Sequence, residues 1–254
     1  MDASRAIGSG ARLHISTRER RYILQDEAPV EQVLRSRGAP VEYQPGRSET
    51  EITTVYLDTA EGTWSRGLSQ TKIRARGYQD SACWWLELKW RQDERVDKWR
   101  QPLSAEAILE NLAGGRRWER LEALVGEAPL RPCFAVRCRR TAFEWDGLRV
   151  TLDRAVEFSA VDPARPLEPS RRLGWLDGLV VEVKCVGEVP AWLQPVLAGS
   201  LATSYSKSRY AGALLAGLDR PYLVKESGVR SQESVVLPRP LGERVGVRGF
   251  PTDG

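Results

Sequence analysis

Residues 71–76 read Thr-Lys-Ile-Arg-Ala-Arg, and residues 84–91 read Trp-Trp-Leu-Glu-Leu-Lys-Trp-Arg. In both stretches a charged side chain occupies every second position, namely Lys72, Arg74 and Arg76, then Glu87, Lys89 and Arg91. Successive side chains of a β-strand point to opposite faces of the sheet, so each trio lies on one face. The two stretches therefore predict β-strands with one charged face and one apolar face.

The same alternation recurs further along the chain, and basic residues dominate its charged face. This face also carries Lys98 and Arg100, then Arg149, Thr151 and Asp153, then Glu182 and Lys184. It holds nine basic and three acidic residues, whereas the whole chain holds 38 basic and 34 acidic residues. One interpretation is the solvated face of an ordinary amphipathic sheet. Because like charges on neighbouring strands repel, the excess favours a second interpretation, in which a polyanion binds there.

Eight stretches carry β-type patterns, at 18–25, 50–58, 70–78, 83–91, 96–102, 134–145, 147–159 and 178–186. Helices are predicted at 29–37, 104–114, 116–125, 190–197 and 206–218 from Pro, Ser and Gly boundary signals and from apolar spacing. Short alternating strands separated by turn residues indicate an antiparallel sandwich or barrel. A closed barrel would turn the charged face inward, where its lumen is a ligand site.

The composition limits the classes of protein to consider. The chain has 254 residues, of which 41% are hydrophobic and 28% charged, as in ordinary globular domains. No apolar run reaches the ~20 residues of a membrane span. Residues 1–12 lack the apolar stretch of a secretory signal, so we expect a cytoplasmic protein. The net charge of +4 is too small to indicate nucleic acid as a partner.

The residues available for catalysis are restricted as well. Cys83, Cys133, Cys138 and Cys185 lack metal-ligand spacing, and we expect reduced, packed thiols. His14 is the only histidine, which excludes any multi-histidine metal site. A metal would need carboxylates, which points to Mg²⁺ or Mn²⁺. Glu182, set among valines, is the candidate ligand, and an ion pair with an arginine of the lumen is its alternative role.

Eight short motifs occur in an order that resembles a known family. They are Glu19-Arg20-Arg21-Tyr22, 54–59 (TVYLDT), 72–76 (KIRAR), 87–89 (ELK), 140–144 (RTAFE), 149–153 (RVTLD), 181–184 (VEVK) and Ser206-Lys207. Together they resemble the VTC domain, which is the polyphosphate polymerase domain of the vacuolar transporter chaperone complex. This domain is one of the triphosphate tunnel metalloenzymes. The resemblance extends from about residue 19 to about residue 215.

The resemblance implies an α+β fold that is mainly antiparallel β. It would be an eight-stranded closed tunnel at 13–222, with accessory helices outside, a C-terminal helix, and disordered tails at 1–12 and 223–254. The implied function is transfer of the γ-phosphate of ATP to inorganic polyphosphate, with Mn²⁺ or Mg²⁺. Phosphate-binding residues would be Arg21, Arg74, Arg76, Lys89, Lys98, Arg140 and Arg149, with Lys72 and Lys184 added from the alternation. Glu182 would bind the metal, and Lys207 would assist transfer together with Arg74 and Arg76.

The sequence departs from the family pattern at two positions. Members usually have lysine in place of Arg21 and a second basic residue in place of Ser204. The ExExK signature of CYTH-type hydrolases is not met by Glu19-Arg20-Arg21. Two alternatives to the polymerase stay open, namely a tunnel-type inorganic triphosphatase and a non-catalytic polyphosphate-binding module. A membrane partner and the oligomeric state are left open as well.

Overall fold

The structure is a computed structural model, and it describes residues 18–59, 71–92, 95–113, 118–125, 128–198, 200–203 and 206–215. Both predicted tails lie outside the described residues, as do His14 and Ser204. The described part is built mainly of β-strands, as the sequence predicts.

Ten strands and five helices make up the described fold. The strands are β1 (Arg18–Leu24), β2 (Glu49–Thr59), β3 (Thr71–Tyr78), β4 (Trp84–Gln92), β5 (Arg95–Leu103), β6 (Leu130–Trp145), β7 (Leu148–Asp162), β8 (Arg165–Leu176), β9 (Leu179–Cys185) and β10 (Leu201–Thr203). The helices are α1 (Ala28–Arg37), α2 (Ala105–Ala113), α3 (Glu119–Val125), α4 (Gln194–Leu197) and α5 (Lys207–Leu215). Every predicted strand and helix has its counterpart, and β8 and β10 were not predicted.

All ten strands belong to one antiparallel sheet. Its order is β10-β1-β9-β7-β6-β2-β3-β4-β5, and β8 pairs with β7 outside this path. The expected number of strands was eight, so the sheet is larger than predicted. Among the described residues, no backbone pairing joins the end strands β5 and β10 to each other. The prediction of a mainly antiparallel β fold with added helices is confirmed.

The sheet curls so that its two ends approach each other. Lys89 Nζ on β4 lies 3.4 Å from Glu19 Oε2 on β1, although five strands separate β4 from β1 in the sheet. In a flat sheet, six inter-strand steps of about 4.8 Å would separate them by roughly 29 Å. The charged side chains therefore face one another across the concave side of the curled sheet, which we call the lumen. We call the sheet face that lines it the inner face.

The outer face of the sheet is apolar and is covered by helices. Around β7 and β9 it packs against α1 and α4 through buried residues that include Val30, Leu34, Val181 and Leu193. Around β2, β3 and β4 it packs against α2 and α3 in a second cluster, which includes Ile73, Leu86, Leu88, Ile108 and Leu121. The four short helices thus bury the apolar face and leave the charged face to the lumen.

Helix α5 packs instead on an apolar part of the inner face. Tyr210 and Ala211 are buried against Ile52, Val156 and Phe158, and the Tyr210 and Phe158 rings lie 4.7 Å apart. This contact anchors the helix and directs its first residues towards the charged side chains. No helix among the described residues is long and apolar enough to cross a membrane.

The four cysteines are free thiols, as predicted, and Cys138 and Cys185 are buried. Burial raises the pKa of Cys138 to about 11. Both thiols therefore behave as small apolar side chains of the core.

Candidate polyanion-binding site

Strand register places the charged residues of β3, β4 and β5 in rows across the inner face. Lys72 pairs with Lys89, and Lys89 pairs with Lys98. In the next row, Arg74 pairs with Glu87, and Glu87 pairs with Arg100. Paired residues point to the same face, so the rows confirm the alternation that the sequence predicts.

Glu87 is the centre of a first group of cations. It is 1% exposed, and its Oε2 lies 2.6 Å from Arg74 Nε and 3.7 Å from Arg76 Nη1. Its Oε1 lies 3.1 Å from Lys98 Nζ. Burial raises the pKa of Glu87, but the attraction of its three cations outweighs this and holds the pKa well below its usual value. Glu87 is therefore ionised and keeps the three cations close together.

Asp153 is the centre of a second group. Its carboxylate is 0% exposed and accepts hydrogen bonds from Arg140 Nε at 2.5 Å and Arg140 Nη2 at 2.7 Å. Lys207 Nζ donates a third, to Oδ2 at 2.5 Å. Burial raises the pKa of Asp153, but the two cations lower it by more, and the net shift is downward. Asp153 thus joins the first residue of α5 to β6 and β7.

Glu182 and Glu19 form a third group with the cations of β1, β4 and β9. Glu182 Oε1 lies 2.7 Å from Lys184 Nζ, and Glu182 Oε2 lies 3.5 Å from Arg21 Nε. Glu19 forms ion pairs with Arg21, with Lys89 at 3.4 Å and with Lys184 at 3.8 Å. Burial raises the pKa of Glu182, but the attraction of Lys184 and other nearby cations holds it well below its usual value.

Ser206, just before α5, and Ser208 within it lie beside Lys207. Lys72 Nζ donates hydrogen bonds to Ser206 Oγ at 2.9 Å and to Ser208 Oγ at 2.7 Å. The backbone N–H groups at a helix N-terminus favour anions. The start of α5 therefore joins Lys72 and Lys207 at one place in the lumen.

Two lysines of this site have strongly lowered pKa values. Burial lowers the pKa of Lys98 to about 7, because the attraction of Glu87 offsets only part of the desolvation cost. Burial also lowers the pKa of Lys89 to about 8, and repulsion from Arg74 adds to the effect. An anion bound between them would favour their protonated forms.

The comparisons with known proteins identify the family of this chain. The family model described as the VTC domain matches residues 16–216. The chain belongs to the VTC-domain family.

Two solved structures show similarity to this VTC domain. A candidate adenylate cyclase from Bacillus halodurans is 14% identical with a TM-score of 0.51, covering 74% of this chain and 93% of its own. A candidate adenylyl cyclase from Hippeastrum, with a dominant triphosphatase activity, is 19% identical with a TM-score of 0.47, covering 78% and 95%. No curated protein matches the sequence.

The VTC domain brings nearly all the predicted site residues together. Those on the inner face or at the start of α5 are Arg21, Lys72, Arg74, Arg76, Lys89, Lys98, Arg140, Lys184, Glu182 and Lys207. Arg149 pairs with Lys184 and therefore lies on the same face of the sheet. It is at the edge of this face, which we call the rim. Its side chain is 39% exposed and pairs with Glu144 at 2.8 Å. The roles of these residues in binding and transfer stay predictions.

The carboxylates Glu19, Glu87 and Asp153 have contacts in the site that the sequence analysis did not assign to them. Glu87 and Asp153 occupy positions of the charged alternation, and this placement was the available signal. The pairing of Asp153 with Lys207 could not be predicted, because Lys207 lies on a helix far from Asp153 in the sequence. The serines beside Lys207 carried no signal of their contact with Lys72.

The residues around Glu182 fit a divalent ion that is bound together with phosphates. Within the described part of the chain, no three His, Cys, Asp or Glu side chains are grouped as a complete metal site. Mg²⁺ in phosphate enzymes usually takes one or two carboxylates and completes its shell with substrate oxygens and water. Glu182 and Glu19, which share Arg21 and Lys184, supply such a pair of carboxylates.

Proposed function

We propose that this VTC domain is a polyphosphate polymerase that transfers the γ-phosphate of ATP to a growing inorganic polyphosphate chain. The observation that carries the proposal is the imbalance of charge around the carboxylates of the inner face. Glu19, Glu87, Asp153 and Glu182 are surrounded by eight basic side chains, which are Arg21, Arg74, Arg76, Lys89, Lys98, Arg140, Lys184 and Lys207. A chain of phosphates offers acceptor oxygens and negative charge along its whole length, which matches such a surface.

Family membership supports the choice of ATP and polyphosphate as substrates. In the reaction, a terminal oxygen of the polyphosphate attacks the γ-phosphorus of ATP. The bond from that phosphorus to the β–γ bridging oxygen breaks, and ADP leaves with the bond's electron pair. No covalent enzyme intermediate is needed, because such transfers depend mainly on in-line positioning and on stabilisation of charge.

The side chains divide this work between the two reacting groups. Arg74 and Arg76, already oriented by Glu87, hold the γ-phosphate of ATP. Lys207, already held by Asp153 at the start of α5, orients the receiving phosphate. Because these cations are ordered before the substrate binds, little conformational entropy is lost on binding.

Glu182, with Glu19 beside it, would hold Mn²⁺ or Mg²⁺. Such an ion, when bound, would supply positive charge to offset the negative charge that develops during transfer.

The test is incubation of the protein with ATP and Mn²⁺, followed by separation of the products on a gel. The proposal expects a polymer of phosphate together with ADP. Orthophosphate without polymer would select the inorganic triphosphatase instead, and tight polyphosphate binding without turnover would select a binding module. Arg74→Ala should abolish polymer formation, whereas Arg139→Ala, at a 55% exposed side chain paired with Glu49, should not.

A further inference from the structure

The hydroxyl of Thr151 is buried on the inner face without a hydrogen-bond partner. Thr151 lies on β7 between Arg149 and Asp153 of the charged alternation, and it is 3% exposed. Among the described residues, nothing accepts from its Oγ1 or donates to it. Ala142, its neighbour on β6, has no polar side chain to offer. Leaving a buried hydroxyl unpaired is unfavourable, so valine would suit this strand better if the hydroxyl had no use.

The neighbour of Thr151 on the other side is the candidate metal ligand. Register pairs Thr151 with Glu182 on β9. Side chains in such pairs have Cβ atoms about 4.5–5.5 Å apart, within reach of a hydrogen bond from a threonine hydroxyl to a glutamate carboxylate. In the structure that carboxylate instead contacts Lys184 at 2.7 Å and Arg21 at 3.5 Å.

The two cations on Glu182 would be drawn to a bound phosphate chain. Lys184 has a side chain that is 38% exposed, and the contact of Arg21 with Glu182 is long. Phosphate oxygens in the lumen compete for both cations. A cation that turns towards a phosphate no longer pairs with its oxygen of Glu182. That oxygen then lies beside the Thr151 hydroxyl, which has no hydrogen-bond partner of its own.

We infer that Thr151 is a positioning residue for Glu182 in the loaded site. When phosphates and the divalent ion together displace Arg21 and Lys184, the Thr151 hydroxyl donates a hydrogen bond to the Glu182 carboxylate and fixes its orientation towards that ion. The exchange of partners takes place within the protein, so the buried hydroxyl does not have to be reached by the ligand. This inference rests on the proposed binding of phosphates and metal in the lumen.

The experiment compares Thr151→Val, which keeps the shape and removes the hydroxyl, with Thr151→Ser, which keeps the hydroxyl. The probe is inorganic triphosphate, titrated calorimetrically once with Mn²⁺ and once with EDTA. The measured quantity is the affinity for triphosphate with Mn²⁺ divided by the affinity with EDTA. Loss of a hydrogen bond that orients a metal ligand costs typically 10–100-fold in metal affinity. We expect the ratio to fall about ten-fold in Thr151→Val, with wild-type values in Thr151→Ser and unchanged binding in EDTA.

Two outcomes would overturn the inference while leaving the proposed function intact. One is an unchanged ratio in Thr151→Val, and the other is an equal loss of affinity with and without Mn²⁺. If the wild-type protein itself fails to bind triphosphate, the proposed function fails as well. A Glu182→Gln background supplies a further check, because Thr151→Val should have no additional effect on the ratio there.

Discussion

Arg140 binds Asp153 through two of its guanidinium nitrogens, in a pair that lies almost wholly inside the protein. The arginine side chain is 15% exposed and the aspartate 0%. Because Lys207 shares the same carboxylate, Asp153 carries two cations. Removing one partner from such a buried group leaves uncompensated charge, which costs far more than the net energy of the pair.

Asp153→Asn should therefore strongly destabilise the ligand-free protein. We expect a loss of about 3–5 kcal/mol in the free energy of unfolding, because Arg140 and Lys207 would remain buried without their carboxylate. Urea denaturation measures this loss. Inorganic triphosphate should stabilise the variant more than it stabilises the wild type, since the anion supplies the missing negative charge.

The matched control is Glu144→Gln at the rim. Glu144 is 54% exposed and pairs only with the half-exposed Arg149 among the described residues, so its loss should cost less than about 1 kcal/mol. Equal urea midpoints for Asp153→Asn and the wild type would contradict the role assigned to Asp153.

Binding of triphosphate should take up protons between about pH 7 and pH 9. The pKa values of Lys98 and Lys89 are lowered to about 7 and about 8, so both lysines lose charge over this range, and the anion favours the charged forms. Affinity should fall as the pH rises. Calorimetry in buffers of different ionisation enthalpy measures the uptake. In Lys98→Arg, where the guanidinium stays charged, proton uptake should shrink, and an unchanged uptake would contradict the assignment.

The free energy of unfolding of the protein without triphosphate should rise with pH, whereas the affinity for triphosphate falls. Unfolded lysines have a pKa near 10.4, so between pH 7 and pH 10 the unfolded chain binds more protons than the folded one. Stability therefore rises with pH over this range as far as Lys89 and Lys98 are concerned. The slope should decrease in Lys98→Arg, which urea midpoints at several pH values would measure.

Glu182→Gln should separate metal dependence from phosphate binding. The amide keeps the size of the side chain but is a poor ligand for Mn²⁺, so metal-dependent turnover should be lost. Affinity for triphosphate in EDTA should be unchanged or higher, because one negative charge leaves the lumen. Full activity of Glu182→Gln would contradict the assignment of Glu182 as a metal ligand, and Glu144→Gln again serves as the control.

Gly178 in the turn between β8 and β9 should not tolerate a side chain. Its φ is +108°, and a Cβ at this position would lie 2.5 Å from the carbonyl oxygen of Leu24. Gly147→Ala is the control, because that glycine also has a positive φ, of +67°, but open space around it. Strain alone costs about 1–3 kcal/mol, so urea denaturation should show a clearly larger loss for Gly178→Ala. Equal losses would mean that the backbone near Leu24 adjusts.

Alternation made the inner face predictable wherever strands are regular. Lys72, Arg74, Arg76, Glu87 and Lys89 follow a strict two-residue period. On β7 the period holds only as far as Asp153. The pairing of β7 with β6 shifts between Arg137 and Arg139, and Ala155 on β7 takes a φ of +47°. Before this point the odd-numbered residues of β7 face inward, and after it the even-numbered ones do. The sequence gives no sign of this bulge, which turns Val156 and Phe158 inward.

The two missed strands have physical explanations. Strand β8 contains Pro166, Pro169 and Gly174, residues that weaken a strand pattern and that an edge strand tolerates. Strand β10 is only three residues long, too short for a period to be recognised. The placement of α5 within the lumen was equally hidden, because its apolar residues indicate a buried side without indicating what covers it.

The position of α5 has a consequence for biosynthesis. All ten strands precede this helix in the chain, so a ribosome completes the cationic wall before Lys207 and Tyr210 exist. Until the helix docks, Lys72 lacks its two serine partners and Asp153 lacks one of its cations. If the lumen binds polyphosphate as proposed, the polymer would relieve the repulsion within the wall until α5 docks.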